Sequence, residues 1–549
     1  SRKLAPLPSP EDARCSWQLW YKKVKKTKKT LTRLIQGKAR QQQNAQINKF
    51  TAKRIQAFNI GKLRKVIDSV LKRQRGAAIT ALRDKEGRAH LHPAAVIELA
   101  TEYNRGVFSG EAAPAWYDSA GVGEGVKRYF QDNYEGQEAR ERGVRGIFHE
   151  DWDRLPPKWK ALQRMMRLKM CGGDGEVDAE TLAAREARFK DVFRKIEWGE
   201  WKGYWGKKSR YTSGGGSKSR PDMIKELDDL TMYKLRKMCN ICMALGIMPR
   251  QWKKAILILI EKIVGLTQVD KLRPLKLLEI VMKAVFSIVT KRIQEVIETD
   301  ELFHQAQMAF RRERYAALCT MTIVLAAEDA IKFRKELHVV AVDIRKAYDC
   351  VVRTIGKGAA TRRMAIPLQV VDFFLEADRG NTNTIRTGWD VFTEGSKAAF
   401  EAERGLAQGG SESTLLWDIF YDMVLSELER RGVGAGICVD IGRACSSGQG
   451  FGAFADDTAL MGGPLEEIQR AVEVLDEVLE VVMLRLAPEK SQHMALIPNP
   501  DTGEFYLREE LEETNTEHRI TTRGTKVPWV DADEGVRHLG YWVDLHANW

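Results

Sequence analysis

The chain has 549 residues, 44% of them hydrophobic, which is enough for two or three domains with sizeable cores. Its formal net charge of +13 indicates a polyanionic partner. Eight cysteines in this length exclude a disulfide framework, and the longest notable apolar run, residues 255–260, is too short to cross a bilayer. The composition predicts a soluble intracellular protein without a membrane partner.

The N-terminal arm carries the basic charge. Residues 1–100 hold 24 Lys and Arg against 6 Asp and Glu, whereas the rest of the chain holds 64 against 69. The lysine-dense stretch YKKVKKTKKTLTRLIQGKAR, preceded by Trp17 and Trp20, predicts a basic helical extension over residues 1–75. Such a segment suits phosphate contacts with RNA or DNA. A solvated basic helix or a nuclear-import signal explains the pattern equally well.

Residues 76–210 are predicted to be mixed helices with polar breaks. The segment WKGYWGKKSRYTSGGGSKSRP, residues 201–221, is basic and rich in glycine and serine, so it predicts a flexible linker. The alternative is a clamp for a single nucleic-acid strand.

Cys239 and Cys242 have the spacing of a metal site, but no second Cys or His pair lies near them in LRKMCNICMALG. We therefore expect buried core thiols rather than zinc ligands.

Farther along, strands alternate with helices. ILILI at residues 256–260 predicts a strand, and the β-branched run LHVVAV predicts a buried strand that ends at Asp343. FADD, between two short apolar stretches, predicts a hairpin whose turn carries Asp456 and Asp457. After Pro464, apolar residues at helical spacing predict an amphipathic helix that covers the hairpin's sheet: Leu465, Ile468, Val472, Leu475, Leu479 and Val482.

Three carboxylates at strand ends suit a site for divalent cations. Asp343, Asp456 and Asp457 on rigid neighbouring strands could hold two Mg²⁺ ions roughly 3.5–4 Å apart, beside a hydroxyl and a triphosphate. The alternative is that these aspartates only cap the turns that follow the strands.

These features belong to a longer series of sequence blocks. In chain order the blocks are MPRQWKKAILILIEK, KLRPLKLLEIVMKAVFSIVTKRI, QMAFRR, VAVDIRKAYDCV, GLAQGGSESTLLWDIFYD, AFADD, LAPEKS and HLGYWVD. From about residue 221 to residue 549 they resemble the reverse transcriptases of non-LTR (LINE-type) retrotransposons. A weaker likeness covers residues 82–108. Three positions depart from the family's pattern: Ala309 replaces a usual Gly, Ala407 a usual Pro, and Thr414 a common second Pro.

The resemblance implies an α+β right-hand polymerase. Its fingers would cover residues 211–335 and its palm, with the catalytic carboxylates, residues 336–500. Residues 501–549 would end the palm and begin a truncated thumb, and residues 76–210 would be a helical pre-polymerase region. Because few residues follow Gly540, we expect the thumb to be mostly absent and processivity to be weak. No endonuclease is recognisable, so we expect one upstream in a longer polyprotein.

The resemblance also assigns the metal ligands. Asp343 and Asp456 are expected to bind both Mg²⁺ ions, for which Mn²⁺ is an alternative. Asp457 completes the acidic cluster, and Ile344 can offer only its backbone carbonyl. The same three aspartates are the expected catalytic residues.

Substrate contacts follow from the same blocks. Tyr348 lies five residues after Asp343, where the family places an aromatic residue that blocks a ribose 2′-hydroxyl and so favours dNTPs. Gln408, Gly409 and Gly410 would let the backbone approach the incoming nucleotide closely.

The triphosphate needs cations, because negative charge grows on the leaving pyrophosphate in the transition state. Lys271 and Arg273 are the first candidates, and Arg311 and Lys490 are weaker ones. Lys490 is expected to act as a general acid for pyrophosphate or to be an ordinary surface lysine.

The prediction is an RNA-directed DNA polymerase that copies an RNA template onto a primer or target DNA from dNTPs. We expect it in the nucleus, after ribonucleoprotein assembly in the cytoplasm. One alternative is a catalytically decayed remnant that only binds nucleic acid, which the three departures favour mildly and the intact aspartates oppose. The other is a group II intron-type or domesticated reverse transcriptase.

Overall fold

A computed structural model describes the chain in several stretches. They are residues 79–109, 157–166, 169, 179–209, 214–261, 267–388, 399–434, 450–502, 504–506, 519–530, 535–539, 541–543 and 545. The basic extension predicted at residues 1–75 lies outside them.

More of the described residues lie in helices than in strands. In order they are α1 Pro93–Phe108, α2 Pro157–Met165, α3 Ala179–Arg188, α4 Trp198–Lys207, α5 Pro221–Lys225, α6 Asp229–Leu245, α7 Ile280–Thr299, α8 Ala316–Phe333, α9 Ala347–Cys350, α10 Ala360–Arg363, α11 Leu368–Glu376, α12 Ser413–Arg430 and α13 Leu465–Val481. A π-helical segment covers Thr354–Ala359, and 3-10 turns cover Arg250–Lys253, Val269–Lys271 and Pro488–Lys490.

The strands form small sheets between these helices. They are β1 Leu82–Arg83, β2 Ala89–His90, β3 Lys254–Glu261, β4 Leu272–Leu277, β5 Leu337–Val342, β6 Thr382–Arg386, β7 Ala399–Phe400, β8 Phe451–Phe454, β9 Asp457–Gly462, β10 Gln492–Leu496, β11 Thr521–Thr522, β12 Thr525–Lys526, β13 Val536–His538 and β14 Tyr541–Val543. The chain thus folds as a mixture of helices and mainly antiparallel sheets.

One four-stranded sheet, the hairpin sheet, has the order β10-β5-β9-β8 and is antiparallel throughout. Its central strand β5 is the predicted LHVVAV strand. Val340 and Val342 pack into the main core, whereas Leu337 and Val339 pack into a second core on the opposite face. Because both faces are covered, nearly every residue of this strand is apolar instead of every second one.

A second four-stranded sheet, the flanking sheet, has the order β4-β3-β6-β7. β3 contains the predicted ILILI strand; it pairs antiparallel with β4 and parallel with β6. Leu257 and Ile385 of this sheet share a core with Val96, Ala100 and Phe108 of α1. The strand pairing therefore crosses residue 335, where the sequence placed the end of the fingers.

Helices α12 and α13 stand behind the hairpin sheet. α12 is buried along most of its length, with Trp417, Phe420 and Tyr421 fully inside the core. α13 begins after Pro464, as predicted, and buries the face that carries Ile468 against β9. The prediction of an amphipathic helix over this sheet is confirmed.

The flexible linker predicted at residues 201–221 is wrong for the part that the structure describes. Residues 201–207 belong to α4, whose Trp201 and Trp205 side chains are buried edge to face at 5.6 Å between ring centroids. Burying two indoles outweighs the cost of about 1 kcal/mol for each helical glycine. The Ser217 amide and hydroxyl both donate to Glu279, which anchors the glycine-rich turn.

Cys239 and Cys242 lie on the inner side of α6 and are buried, as predicted for core thiols. Burial raises the pKa of both thiols, so they stay protonated. No helix within the described stretches combines the length and the apolar character that a bilayer crossing requires.

Candidate active site

The three aspartates of the sequence prediction meet at one end of the hairpin sheet. Phe454 and Asp457 close the β8–β9 hairpin, so Ala455 and Asp456 form its two-residue turn. Ala455 has φ of +59°, the conformation that a II′ turn requires of its first central residue. On the neighbouring strand, Val342 pairs with Thr458, which places Asp343 opposite Asp457 one residue beyond the last pair.

The carboxylates interact electrostatically. The pKa of Asp457 is raised to about 6, first by desolvation and then by the negative charges of Asp456 and Asp343, while Arg273 acts in the opposite direction. Asp457 is nevertheless exposed to solvent, whereas Asp343 and Asp456 are half-buried. The repulsion by its neighbours is the part of this rise that a bound cation would cancel.

Carboxylate oxygens are the ligands that hard divalent cations prefer, so the donor set fits such ions. Among the described residues, however, no group of three or more His, Cys, Asp or Glu side chains is already arranged to hold a metal ion. A cation would therefore have to draw the three aspartates together. Ile344, whose carbonyl is the remaining expected ligand, is buried in an isolated bridge to Leu486.

A buried glutamine supports the hairpin turn, a role that the sequence did not reveal. Gln307 runs parallel to β8 at Ala453, and its Oε1 accepts hydrogen bonds from the backbone amides of Ala309 and Ala455 at 3.1 and 3.2 Å. Its side chain is fully buried, and within the described chain Nε2 has no hydrogen-bond partner. The block QMAFRR thus braces the turn that carries Asp456.

A serine holds the other strand end. The backbone amide of Asp343 donates to Oγ of Ser491 at 3.1 Å, and the Ser491 hydroxyl donates to the carbonyl of Ala487. The Ala487 amide in turn donates to the carbonyl of Asp343 at 2.9 Å. The sequence singled out Lys490 in this block; the next residue, Ser491, fixes the backbone of Asp343.

Tyr348 lies beside the carboxylates on the short helix α9. Its ring is half-buried and stacks on Trp417 with 4.6 Å between centroids and 20° between planes. Burial raises the pKa of its phenol, and the charges of Asp418 and Asp456 raise it further. Tyr348 is therefore a neutral side chain near Asp456.

The glycine-rich loop packs against β4. The Lys276 amide donates to the Gln408 carbonyl at 2.8 Å, and the Gln408 side chain donates to Asp349 at 2.9 Å. Gly409 has φ of +110°, and a Cβ there would lie 2.7 Å from the Lys276 carbonyl oxygen. Only glycine fits at this position. A Cβ at Gly410 would lie 2.6 Å from the Ser413 hydroxyl.

The four predicted cations lie in different environments. Lys271, Arg273 and Lys490 are exposed, and Arg273 is near enough to Asp457 to lower its pKa. Arg311 is a correction: it is buried, and its guanidinium donates to the carbonyls of His304 and Gln307 and lies 5.4 Å from the Phe303 ring centroid. Because these contacts occupy it, Arg311 is not part of the site that we propose.

Two departures from the family's pattern fit their positions. Ala309 is fully buried and is not among the residues with positive φ, so a Cβ causes no backbone strain there. The Ala407 carbonyl accepts from the Gly410 amide and the Ser413 hydroxyl, which closes the glycine-rich loop without a proline. Neither position contributes a carboxylate to the site.

Acidic residues at adjoining strand ends, a cationic side chain and a close-fitting glycine loop are the equipment of an enzyme that acts on phosphates through divalent cations. Residues 260–543, slightly more than half of the chain, match the family described as reverse transcriptase (RNA-dependent DNA polymerase). The chain belongs to this family.

Two curated relatives are "Retrovirus-related Pol polyprotein from type-1 retrotransposable element R2" of Nasonia vitripennis and of Bradysia coprophila. The first is 25% identical over 296 residues, which are 54% of this chain and 27% of the relative. The second is 25% identical over 279 residues, 51% of this chain and 30% of the relative. The chain thus covers less than a third of either relative. The resemblance to reverse transcriptases of non-LTR retrotransposons is confirmed.

Proposed function

We propose that this chain is the polymerase part of a non-LTR retrotransposon polyprotein, and that it copies an RNA template onto a DNA primer from dNTPs. The observation that carries the proposal is the register that sets Asp343 opposite Asp457, beside Asp456 in the hairpin turn. The raised pKa of Asp457 supports it, because closely spaced carboxylates are what a divalent-cation site needs.

In this proposal the hairpin sheet with α12 and α13 is the palm of a right-hand polymerase. The flanking sheet and α5 to α7 form the fingers, and α1 with the β1–β2 hairpin belongs to the pre-polymerase region that packs against the flanking sheet. We group strands β6 and β7 with the fingers, although they follow residue 335, because they share the flanking sheet with β3 and β4. The boundaries at residues 210, 335 and 500 stay predictions.

Asp343, Asp456 and Asp457 would hold two Mg²⁺ ions, or Mn²⁺ as an alternative, with the Ile344 carbonyl as a further ligand. When bound, these ions activate the primer 3′-hydroxyl and neutralise triphosphate charge. The primer oxygen forms a bond to the α-phosphorus as the bond to pyrophosphate breaks. The ordered Gln307 and Ser491 contacts keep the ligands from drifting during this step.

The remaining side chains would bind and select the nucleotide. Arg273 and Lys271 neutralise the triphosphate, and Lys490 protonates the leaving pyrophosphate. Gln408 and Gly409 would line the nucleotide site with their backbone, in a loop that packs closely on β4 because Gly409 has no side chain. The Tyr348 ring fills the space that a ribose 2′-hydroxyl would occupy and thereby favours dNTPs.

The proposed partners are template RNA, primer or target DNA and dNTPs. The relatives are polyproteins, which supports the proposal of an endonuclease upstream in the full-length protein. We also propose ribonucleoprotein assembly in the cytoplasm followed by action in the nucleus. The R2 relatives favour this origin over a group II intron-type or domesticated enzyme.

The decisive test is dNTP incorporation on poly(rA)/oligo(dT) with Mg²⁺. We expect activity in the natural chain and none in the Asp456→Asn, Asp457→Asn double variant, because two of the three ligands are lost. The control is Asp229→Asn, whose carboxylate is exposed at the start of α6. If neither the natural chain nor the double variant incorporates nucleotide while both bind the duplex, the chain is a nucleic-acid-binding remnant.

A further inference from the structure

Three aromatic side chains form a continuous stack from the nucleotide site into the core. Tyr348 stacks on Trp417 at 4.6 Å and 20°, and Trp417 stacks on Tyr421 at 5.4 Å and 16°. We name these three residues the aromatic ladder. Offset rings at such distances attract one another beyond their burial alone.

The inner end of the ladder is fastened to the strand that carries the carboxylates. The Tyr421 and Thr458 hydroxyls form a hydrogen bond of 2.7 Å, and both residues are fully buried. Thr458 follows Asp457 and pairs with Val342, the residue before Asp343. The ladder therefore connects the Tyr348 ring to the strand pair that holds the proposed metal ligands.

Tyr348 has little local support of its own. Helix α9 has only four residues, and Lys346 just before it takes the left-handed conformation with φ of +45°. The backbone carbonyl of Tyr348 accepts from the Leu406 amide at 2.8 Å, which fixes the main chain but does not orient the ring. Trp417 is the aromatic neighbour that holds the ring.

Trp417 itself has no freedom to adapt. It is fully buried among core residues of α12, and within the described chain its indole N–H has no hydrogen-bond partner. No hydrogen bond therefore orients the indole within the described chain, and its position depends on packing and on ring contacts with Tyr348, Phe420 and Tyr421. The indole stacks on both Tyr348 and Tyr421.

We propose that Trp417 is a positioning residue for sugar discrimination: by stacking, it fixes the depth at which the Tyr348 ring meets the nucleotide sugar. The inference rests on the proposed function, in which Tyr348 excludes the 2′-hydroxyl. Without the indole, the Tyr348 ring tilts into the space left in the core and admits a ribonucleotide.

The test is the ratio of kcat/KM for dTTP to that for UTP on poly(rA)/oligo(dT). Trp417→Leu is expected to lower this ratio by roughly three- to tenfold, the factor that one aromatic pair contributes to an equilibrium. Trp417→Phe keeps a stacking ring and is expected to restore most of the selectivity. A merely structural role would change the amount of folded enzyme but leave the ratio unchanged.

The matched control is Trp201→Leu. Trp201 is equally buried and its indole N–H also lacks a partner within the described chain, but it lies in α4. Its loss is expected to lower the melting temperature without changing the ratio. Trp417→Met, whose unbranched and flexible side chain adapts to an irregular cavity, is measured in parallel, so that a folded variant without the indole decides the question.

Tyr348→Ala distinguishes the role proposed for Trp417 from the role proposed for Tyr348 itself. If it relaxes selectivity and Trp417→Leu or Trp417→Met does not, the inference about Trp417 is wrong and the proposed function stands. If Tyr348→Ala leaves the ratio unchanged while dNTP incorporation continues, the role given to Tyr348 is wrong, and the inference falls with it.

Discussion

Asp457 makes the proposed chemistry depend on pH. Its pKa is raised to about 6, chiefly by desolvation and by its two acidic neighbours. Below this pH the carboxyl is protonated and neutral, and a neutral carboxyl is a poor ligand for a divalent cation. We therefore expect kcat/KM for dNTP incorporation, measured at subsaturating Mg²⁺, to rise as the pH increases through about 6.

Arg273 provides the test of this explanation. Because its charge lowers the pKa of Asp457, Arg273→Gln should move the midpoint of the pH profile upward as well as reduce activity. Lys271→Gln also removes an exposed cation, but Lys271 is not among the groups that shift Asp457, so its midpoint should stay in place. Equal midpoints in both variants would contradict the assignment.

Gly409 is the residue of the glycine-rich loop with the least room for change. Gly409→Ala would combine φ of +110° with a Cβ 2.7 Å from a backbone oxygen, so the loop must move at a cost of about 1–3 kcal/mol. We expect dNTP incorporation to fall at least about tenfold. Steady-state kinetics and a thermal melt measure both effects.

Gly246→Ala is the control for the cost of a positive φ without a steric contact. Gly246 ends α6 with φ of +62°, and nothing lies within 4 Å of a Cβ there. This variant should lose about 1 kcal/mol of stability and keep its kinetics. Similar kinetic losses in both variants would show that the steric contact at Gly409 is irrelevant.

The segment that contains Gln307 lies along β8, the edge strand of the hairpin sheet, and hydrogen-bonds to its backbone. The Met308 amide donates to the Ala453 carbonyl, and the Ala453 amide donates to the Ala306 carbonyl. Gln307→Met keeps the shape of the side chain but leaves the amides of Ala309 and Ala455 without their acceptor. Losing an acceptor for two buried amides costs about 1–3 kcal/mol, so we expect kcat to fall about tenfold with little change in KM.

Gln294→Met is the comparison for that experiment. The Gln294 side chain donates to the Phe310 carbonyl at 2.6 Å, so it supports the same segment from an exposed position away from the turn. We expect its kcat to change less than twofold. If KM rather than kcat changes in Gln307→Met, the residue helps to bind substrate and does not hold the turn.

Element by element, sequence reasoning succeeded where the pattern is local. The β5 strand, the FADD hairpin and α13 follow from apolar runs and periodicity over fewer than about 20 residues. Sequence reasoning failed in α4, where the glycines of the helix and the glycine- and serine-rich stretch that follows it concealed aromatic residues at helical spacing. It could not place β6 beside β3, because more than a hundred residues separate these partners.

The site shows the same division. A sequence block predicts which residue types are present, and the three aspartates do lie at one sheet end. A block does not predict which way a side chain points, and so Arg311 was assigned to the triphosphate although it faces the core. Gln307, Trp417 and Ser491 were overlooked because their roles depend on contacts between blocks.

At the scale of the whole molecule, charge and chemistry occupy different parts of the chain. Residues 1–75 hold 21 Lys and Arg against 3 Asp and Glu, whereas the three aspartates of the proposed metal site all lie after residue 340. Deleting residues 1–75 is expected to weaken binding to a primer–template duplex and to flatten its salt dependence. Each lost phosphate contact removes about 0.9 from the slope of log K against log salt on duplex DNA.

Fluorescence anisotropy from about 50 to 300 mM salt measures this slope. Single-turnover incorporation at saturating enzyme should be unchanged by the deletion, because the arm contributes no proposed ligand. A full-length variant in which the lysines of residues 1–75 are replaced by glutamine separates the effect of charge from the effect of length. An unchanged slope would mean that the arm is solvated and makes no phosphate contacts.

The parallel pairing of β3 with β6 affects how this protein folds while the ribosome synthesises it. Strand β3 is synthesised by residue 261, yet its second neighbour does not exist until residue 386, and the Gly388 amide that binds the Ile79 carbonyl comes later still. For the whole interval, one edge of an apolar strand stays open to other chains. Truncated mRNAs that end within this interval would therefore yield fragments that aggregate through the open strand edge, not smaller folded domains.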